Sequence, residues 1–337
     1  MKIDIYSPTI RRKEMDAVLT AMVEEKIGPG DRNKLLIQTS KEILHFDYAL
    51  ALRSPAVALH LALKALNAKP GKAVIISALS PCYYLQVLQD LQLTPVLCDV
   101  TYDFPCMSRE IIENTIAKKD PALEVCAVVL HHTLGFTPDS EGIAGLGFPV
   151  IEDISKNCES GKTKGVICFL GLEERDMLTS GGGALLFTMN KKDSSMLRSF
   201  SGIPEEYALP DINAALAVVQ FKELQRNMER RRDIAEIYLQ ASLRTRHKRF
   251  ISINDNDYCN YAFSLVLETG LKDVTAYARK KDIEIGNAFG NTIAGAASAE
   301  DCPVSNSLVL RTVLFPMYPR LRSNDVDRIS RLIMTLP

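Results

Sequence analysis

Phe169-Leu170-Gly171-Leu172-Glu173-Glu174-Arg175-Asp176-Met177-Leu178-Thr179-Ser180-Gly181-Gly182-Gly183-Ala184-Leu185 is the run on which the reading of this chain turns. Glycines at 181, 182 and 183 break the chain, and Leu185 to Thr188 reads as a short buried strand entered from that break. Upstream, the same grammar recurs. Val74 to Ile76, Pro95 to Cys98, Cys126 to Leu130 and Pro149 to Ile151 are short apolar runs separated by helical periods. Continuous apolar strands alternating with helices are the mark of a largely parallel sheet covered on both faces. Ile10 to Glu25 predicts an amphipathic helix that stops before Gly28-Pro29-Gly30. Ser54 to Leu66 predicts another, with Ser54 as N-cap and Pro55 at the first helical position.

Pro210 to Leu243 carries Ile212, Ala215, Leu216, Val219 and Leu224 at helical spacing and predicts a long connecting helix. Beyond residue 245 the order becomes strand, helix, strand, at Tyr261 to Leu267, Val274 to Lys280 and Leu308 to Leu314. Gly290 to Ser305, rich in Gly, Ala, Asn and Ser, predicts a mobile loop. The division expected is a large α/β domain over 1–243 and a smaller C-terminal α+β domain over 244–337.

Composition narrows the functional classes. The 337 residues are 47% hydrophobic and 24% charged with a net charge of -1, which gives no electrostatic footprint for nucleic acid or an anionic membrane. The Arg230-Arg231-Arg232 cluster is flanked by Glu229, Asp233 and Glu236, as on a solvated helix face. Eight cysteines lie scattered without a C-x-x-C, several inside apolar runs, as buried free thiols do. His131-His132 is the closest histidine pair and has no ligand-spaced partner motif, so no metal is expected. No apolar run is long enough to span a bilayer, and no signal-peptide pattern opens the chain. A cytoplasmic protein is the expectation.

The quoted run resembles the lysine-bearing segment of the DegT/StrS family of pyridoxal-phosphate (PLP) sugar aminotransferases, F-S-F-H-x-x-K-N-L-T-T-G-E-G-G-A-L. Laid without gaps, the two share Phe169, Thr179, Gly182, Gly183, Ala184 and Leu185. Seven further pieces follow in family order. Ser54 to Leu59 is similar to S-G-T-A-A-L, Pro95 to Val100 to P-V-F-x-D-V, and His132 to Asp139 to H-x-x-G-x-x-x-D. Ile151-Glu152-Asp153 resembles I-E-D-A-A-Q, Glu206 to Ala215 resembles N-Y-R-M-P-D-I-Q-A-A, and Arg231 to Tyr238 resembles R-R-x-I-A-x-x-Y. Leu314 to Pro319 is similar to the late L-P-x-Y-P. The resemblance implies an aspartate-aminotransferase-like, fold-type I architecture: a seven-stranded mostly parallel sheet, a small C-terminal domain, and a homodimer with the active site at its interface.

The same resemblance implies site residues, and several depart from the family pattern. Arg175 stands where the family lysine forms its Schiff base with the cofactor aldehyde, and a guanidinium cannot become the neutral amine this requires. At the phosphate-binding helix start, Pro55 removes one N–H and Ala56 removes a hydroxyl, while Ser54 keeps one. Ser54-Pro55 also reads fully as a capped helix start. Glu206 replaces an asparagine that the partner subunit brings to the phosphate, placing a repulsive carboxylate there. The ring-stacking aromatic aligns near Pro81, with Tyr83 and Tyr84 close by. Asp153 is retained as the partner of the pyridine nitrogen. Lys156, at a glutamine position, reads either as a pocket cation or as a surface lysine. Arg175 or Lys156 is expected within ion-pair reach of Asp153.

Three functional readings remain. One is a non-catalytic homologue without bound cofactor, retained to bind a nucleotide sugar or to scaffold an aminotransferase partner. The second is an active PLP-dependent nucleotide-sugar aminotransferase with a displaced lysine, Lys156, Lys162 or Lys164. The third is a new activity in the old pocket, with His132 or Asp153 as acid or base. The first, with no cofactor, is the expectation.

Overall fold

The computed structural model describes residues 2–119, 122–159, 161, 163–200, 202–251 and 258–337. Lys162 lies outside them. Seven strands form the main sheet: β1 Tyr48–Leu52, β2 Ala73–Ser77, β3 Thr94–Cys98, β4 Val125–His131, β5 Val150–Asp153, β6 Ile167–Gly171 and β7 Ala184–Thr188. Their spatial order is β1-β7-β6-β5-β4-β2-β3. Six strands run in one direction, β2 to β6 pairing in parallel, and β7 is antiparallel to both of its neighbours, β1 and β6. The expected mostly parallel seven-stranded α/β sheet is therefore present.

Alternation along these strands feeds two apolar layers. Val74, Ile76, Ala127, Val129, Ile151 and Phe169 pack on one face with Leu59 and Leu63 of the helix Pro55–Ala65. Ile75, Val96, Val128, Leu130 and Val150 pack on the other. Both faces being buried is why these strands read as unbroken apolar runs rather than as an alternation. Six of the eight cysteines are buried.

The long helix expected over Pro210 to Leu243 is two helices, Asp211–Lys222 and Leu224–Ser242. Glu223 breaks them by adopting φ -95°, ψ 3°. The second of these packs Ile234, Ala235, Tyr238 and Ala241 into the core of a three-stranded antiparallel sheet. That sheet is β8 Phe263–Val266, β9 Gly286–Asn287 and β10 Thr312–Phe315, in the order β8-β10-β9. Ile3 joins the same core through a bridge to Ile283.

Two expectations here need correcting. Leu308 belongs to a helix, Pro303–Arg311, and the strand starts only at Thr312. The segment read as a mobile loop, Gly290 to Ser305, contains the turn of helix Ile293–Ala296 and puts Ile293 into the main core. Its polar composition misled because the segment is fixed by backbone pairing, with Ile293 N–H bonding Ser80 O and Ala294 N–H bonding Ala78 O.

Candidate functional site

The C-terminal ends of the parallel strands open onto a cavity of about 290 Å³, lined from the large sheet by Pro55, His131, Asp153, Ser155, Lys156 and Asp176 among others. Ligands of open α/β sheets bind at this edge. β4 and β5 pair in parallel with His131 opposite Asp153, so the last residue of each strand reaches the cavity together. Asn287, Asn291 and Leu314 line it from the smaller sheet's side. A second cavity, of about 340 Å³, shares Arg175, Tyr261, Asn287, Asn291 and Leu314 with the first and extends to Tyr6, Arg231 and Glu284.

Asp153 is buried, and its carboxylate accepts from the Tyr84 hydroxyl at 2.7 Å, from Ser155 N–H at 3.0 Å and from the Ser155 hydroxyl. Hydroxyls and an amide thus satisfy it, where an arginine or lysine was expected. Arg175 lines both cavities with an exposed side chain and makes no salt bridge among the described residues. Its backbone is more tightly held: its carbonyl accepts from Lys156 Nζ at 2.8 Å and from the Tyr261 hydroxyl at 2.6 Å.

Lys156 is a cavity residue, not a surface one, and its ion partner is Asp176. Nζ lies 2.7 Å from Asp176 Oδ1, with the two side chains 19% and 7% exposed. Burial lowers the Lys156 pKa, but the charge of Asp176 and the Tyr261 hydroxyl outweigh it and hold the amine protonated. Burial raises the Asp176 carboxyl, with Lys156 and the Glu173 N–H opposing. Both Asp176 oxygens accept, Oδ1 from Lys156 and Oδ2 from Glu173 N–H at 2.8 Å, so the pair is ionised. A sequence reading had no signal for Asp176 beyond its place next to Arg175.

The two histidines separate. His132, expected as an acid or base, is fully buried away from the cavity, with Nε2 2.7 Å from Glu152 Oε2. Glu152 also accepts from the Ser140 hydroxyl at 2.8 Å and from Lys164 and Gly165 N–H at 2.7 and 2.6 Å. It is a structural clamp beneath the sheet, and it holds the turn that carries Lys164. The cavity histidine is His131, which contacts Thr133 Oγ1 through Nδ1 at 3.2 Å and has no partner for Nε2 among the described residues. Burial pushes its pKa down to about 4, so it is neutral near pH 7.

At the anion-binding end, Ser54 caps the helix, its hydroxyl accepting from Val57 N–H at 3.3 Å. Pro55 has no N–H, which leaves Ala56 as the uncommitted donor of this first turn among the described residues. Glu206 is exposed in a short 3-10 turn, Glu205–Tyr207, and does not line the cavity of its own chain. Lys164 sits on the other side of β5, 4.0 Å from Glu141 and outside the cavity.

Comparison with known proteins places these residues in context. The chain resembles, in fold, the aminotransferase TlmJ from Streptoalloteichus hindustanus, with TM-score 0.86 over 98% of both chains at 18% identity. It superposes equally well on Spr1654 from Streptococcus pneumoniae in its PLP form, at TM-score 0.88, 16% identity, and 99% and 98% coverage. A variant of GDP-4-keto-6-deoxymannose-3-dehydratase with bound GDP-perosamine gives 0.83 at 15% identity, covering 98% and 100%. Spr1654 is also known in a PMP form. These findings overturn the expectation of no cofactor: the family and its solved relatives point to PLP. The model of the DegT/DnrJ/EryC1/StrS aminotransferase family matches residues 8–163 and 178–334, on either side of the loop that bears Arg175, and the chain belongs to that family.

Proposed function

We propose that this protein is a sugar-aminotransferase homologue that holds a PLP-type cofactor without a covalent tether and binds a nucleotide sugar without transaminating it. The observation that carries this reading is the state of the cavity's two cations. Arg175 is a guanidinium that cannot act as an amine, and Lys156 is locked to Asp176 at 2.7 Å.

The residues present fit the cofactor at its ring end. Asp153 is fixed by Tyr84 and Ser155 with its carboxylate in the cavity, ready to accept from a ring nitrogen. The phosphate end is thinner, with the Ala56 N–H at the helix start that Pro55 brings to the cavity as its donor. When bound, PLP supplies an electron sink for exchanging an amino group with a keto sugar. His131, neutral and next to Asp153, can accept or donate one hydrogen bond to a bound ligand. The second cavity, which shares Arg175 and Tyr261 with the first, takes the nucleotide in this reading.

The working unit in this reading is a cytoplasmic homodimer. Met15, Leu19 and Met22 form an exposed apolar stripe on the helix Arg12–Val23, at spacings that share one helix face. Glu206, remote from its own cavity, would then act on the partner's. Among the described residues no helix is long and apolar enough to cross a membrane.

Lys156 carries the second reading, an active enzyme with a displaced lysine, because its amine lies in the cavity and 2.8 Å from the Arg175 carbonyl. An absorbance titration with PLP, followed by borohydride treatment and peptide mapping, separates the two. Reversible, dialysable binding with no lysine fixed is the expected result. Fixation at Lys156 establishes the second reading, and no binding at any concentration overturns both.

A further inference from the structure

Lys156 and Asp176 come from different loops, one following β5 and the other following β6, and meet inside the cavity rather than on its rim. Among the described residues the amine has three close partners: Asp176 Oδ1 at 2.7 Å, the Arg175 carbonyl at 2.8 Å, and the Tyr261 ring with its centroid 4.9 Å away. Of these, Asp176 brings the closest opposite charge, with Tyr261 and the more distant Glu173 carboxylate of the same cavity adding to it. The carbonyl serves a neutral amine as well as an ammonium.

We infer that Asp176 masks Lys156, so that the cavity holds a latent carbonyl-reactive amine that takes aldehyde-class ligands once the Asp176 contact is lost. This deepens the reading of an untethered cofactor and rests on it. The sign of the effect follows from the cavity. Burial alone pushes Lys156 down, and the Asp176 charge is the largest influence opposing it. With that charge removed and the surroundings unchanged, desolvation dominates and the neutral amine becomes accessible near neutral pH. Asp176→Asn keeps the shape and a carbonyl oxygen toward Lys156 while removing the charge.

Formaldehyde with cyanoborohydride tests this without requiring the cofactor to bind. The Nζ lone pair adds to the aldehyde carbon, and the aldehyde oxygen leaves as water with two protons from nitrogen. The imine takes a proton from solvent, and hydride from cyanoborohydride reduces its carbon, leaving N-methyl-lysine. The readout is methylation of Lys156 by peptide mass spectrometry at pH 7.5, with exposed Lys13 as the internal standard. The expected result is a Lys156 rate at least tenfold higher in Asp176→Asn than in wild type, a wild-type-like rate in Asp176→Glu, and an unchanged Lys13. Equal Lys156 rates in folded wild type and Asp176→Asn overturn the inference, as does a wild-type Lys156 that reacts as fast as Lys13. Should Asp176→Asn not fold, the wild-type pH profile decides. Lys156 methylation must keep rising after Lys13 has levelled off, and levelling at or below the same pH refutes masking. Failure of PLP to bind would leave this result intact, and failure of the methylation contrast would leave reversible PLP binding intact.

Discussion

Replacing Glu152 is expected to loosen the floor under the site. Its carboxylate is fully buried and takes four hydrogen bonds, from His132, Ser140, Lys164 N–H and Gly165 N–H. Glu152→Ala strands two backbone N–H groups and the His132 ring. At about 1–3 kcal/mol for each of these three stranded buried donors, the cost is roughly 3–9 kcal/mol. Glu152→Gln is milder. Its oxygen can still take both N–H groups and Ser140 can turn its hydroxyl, so the loss is confined to the charge assistance and the His132 contact, at about 1–3 kcal/mol. Burial raises the Glu152 pKa, but His132 and the other donors outweigh it and leave the value below the ordinary 4.5. A depressed folded pKa gives stability that is full above the unfolded value and is lost as pH falls through the folded one. Urea midpoints at constant slope should therefore show wild type ahead of Glu152→Gln at pH 7, with the gap closing below about pH 4.5. A gap independent of pH between 7 and 3, or an alanine variant as stable as wild type, refutes this assignment.

Other perturbations test other parts of the account. Asp211, buried in the helix Asp211–Lys222, accepts from Gly30, Arg32 and Asn33 N–H at 2.8, 3.0 and 2.8 Å and so caps the helix Asp31–Leu44 from far along the chain. Asp211→Ala should cost about 2–4 kcal/mol by urea denaturation, and a loss under 0.5 kcal/mol would contradict it. Gly183 enters β7 at φ +126°, and a Cβ there would lie 2.5 Å from Leu209 Cδ1, so Gly183→Ala should destabilise by about 1–3 kcal/mol in the same assay. Arg175→Lys places an amine able to lose its proton at the cavity mouth, and borohydride should then fix PLP at residue 175. A variant that still gives only dialysable PLP counts against the orientation of this loop.

How much could be read from the sequence depended on the range of the interactions. The serine cap at Ser54 and the apolar strands are local patterns, and the structure has them in place, with Asp153 at the cavity end of β5. The choice between His131 and His132 is not local. Strand alternation sends neighbours to opposite faces, so register against β5 decided which one meets Asp153. β1 stayed hidden because it pairs with β7 from far along the chain. Tyr84, Ser155 and Asp176 became site residues only through folding: Tyr84 reaches Asp153 from the helix Tyr83–Asp90, and Asp176 turns inward on the loop after β6. Lys156 was identified as a pocket candidate, but the partner expected for it, Asp153, already had its hydroxyl donors. The break at Glu223 had no glycine or proline to announce it.

The most direct measurement of the central claim is a crystal structure of the protein soaked with PLP. The account predicts a ring nitrogen within hydrogen-bond distance of Asp153 and a separate, unlinked cofactor, with Lys156 still paired to Asp176. Continuous density from the cofactor to Lys156 or any other lysine, or a cavity that stays empty at saturating PLP, would contradict it.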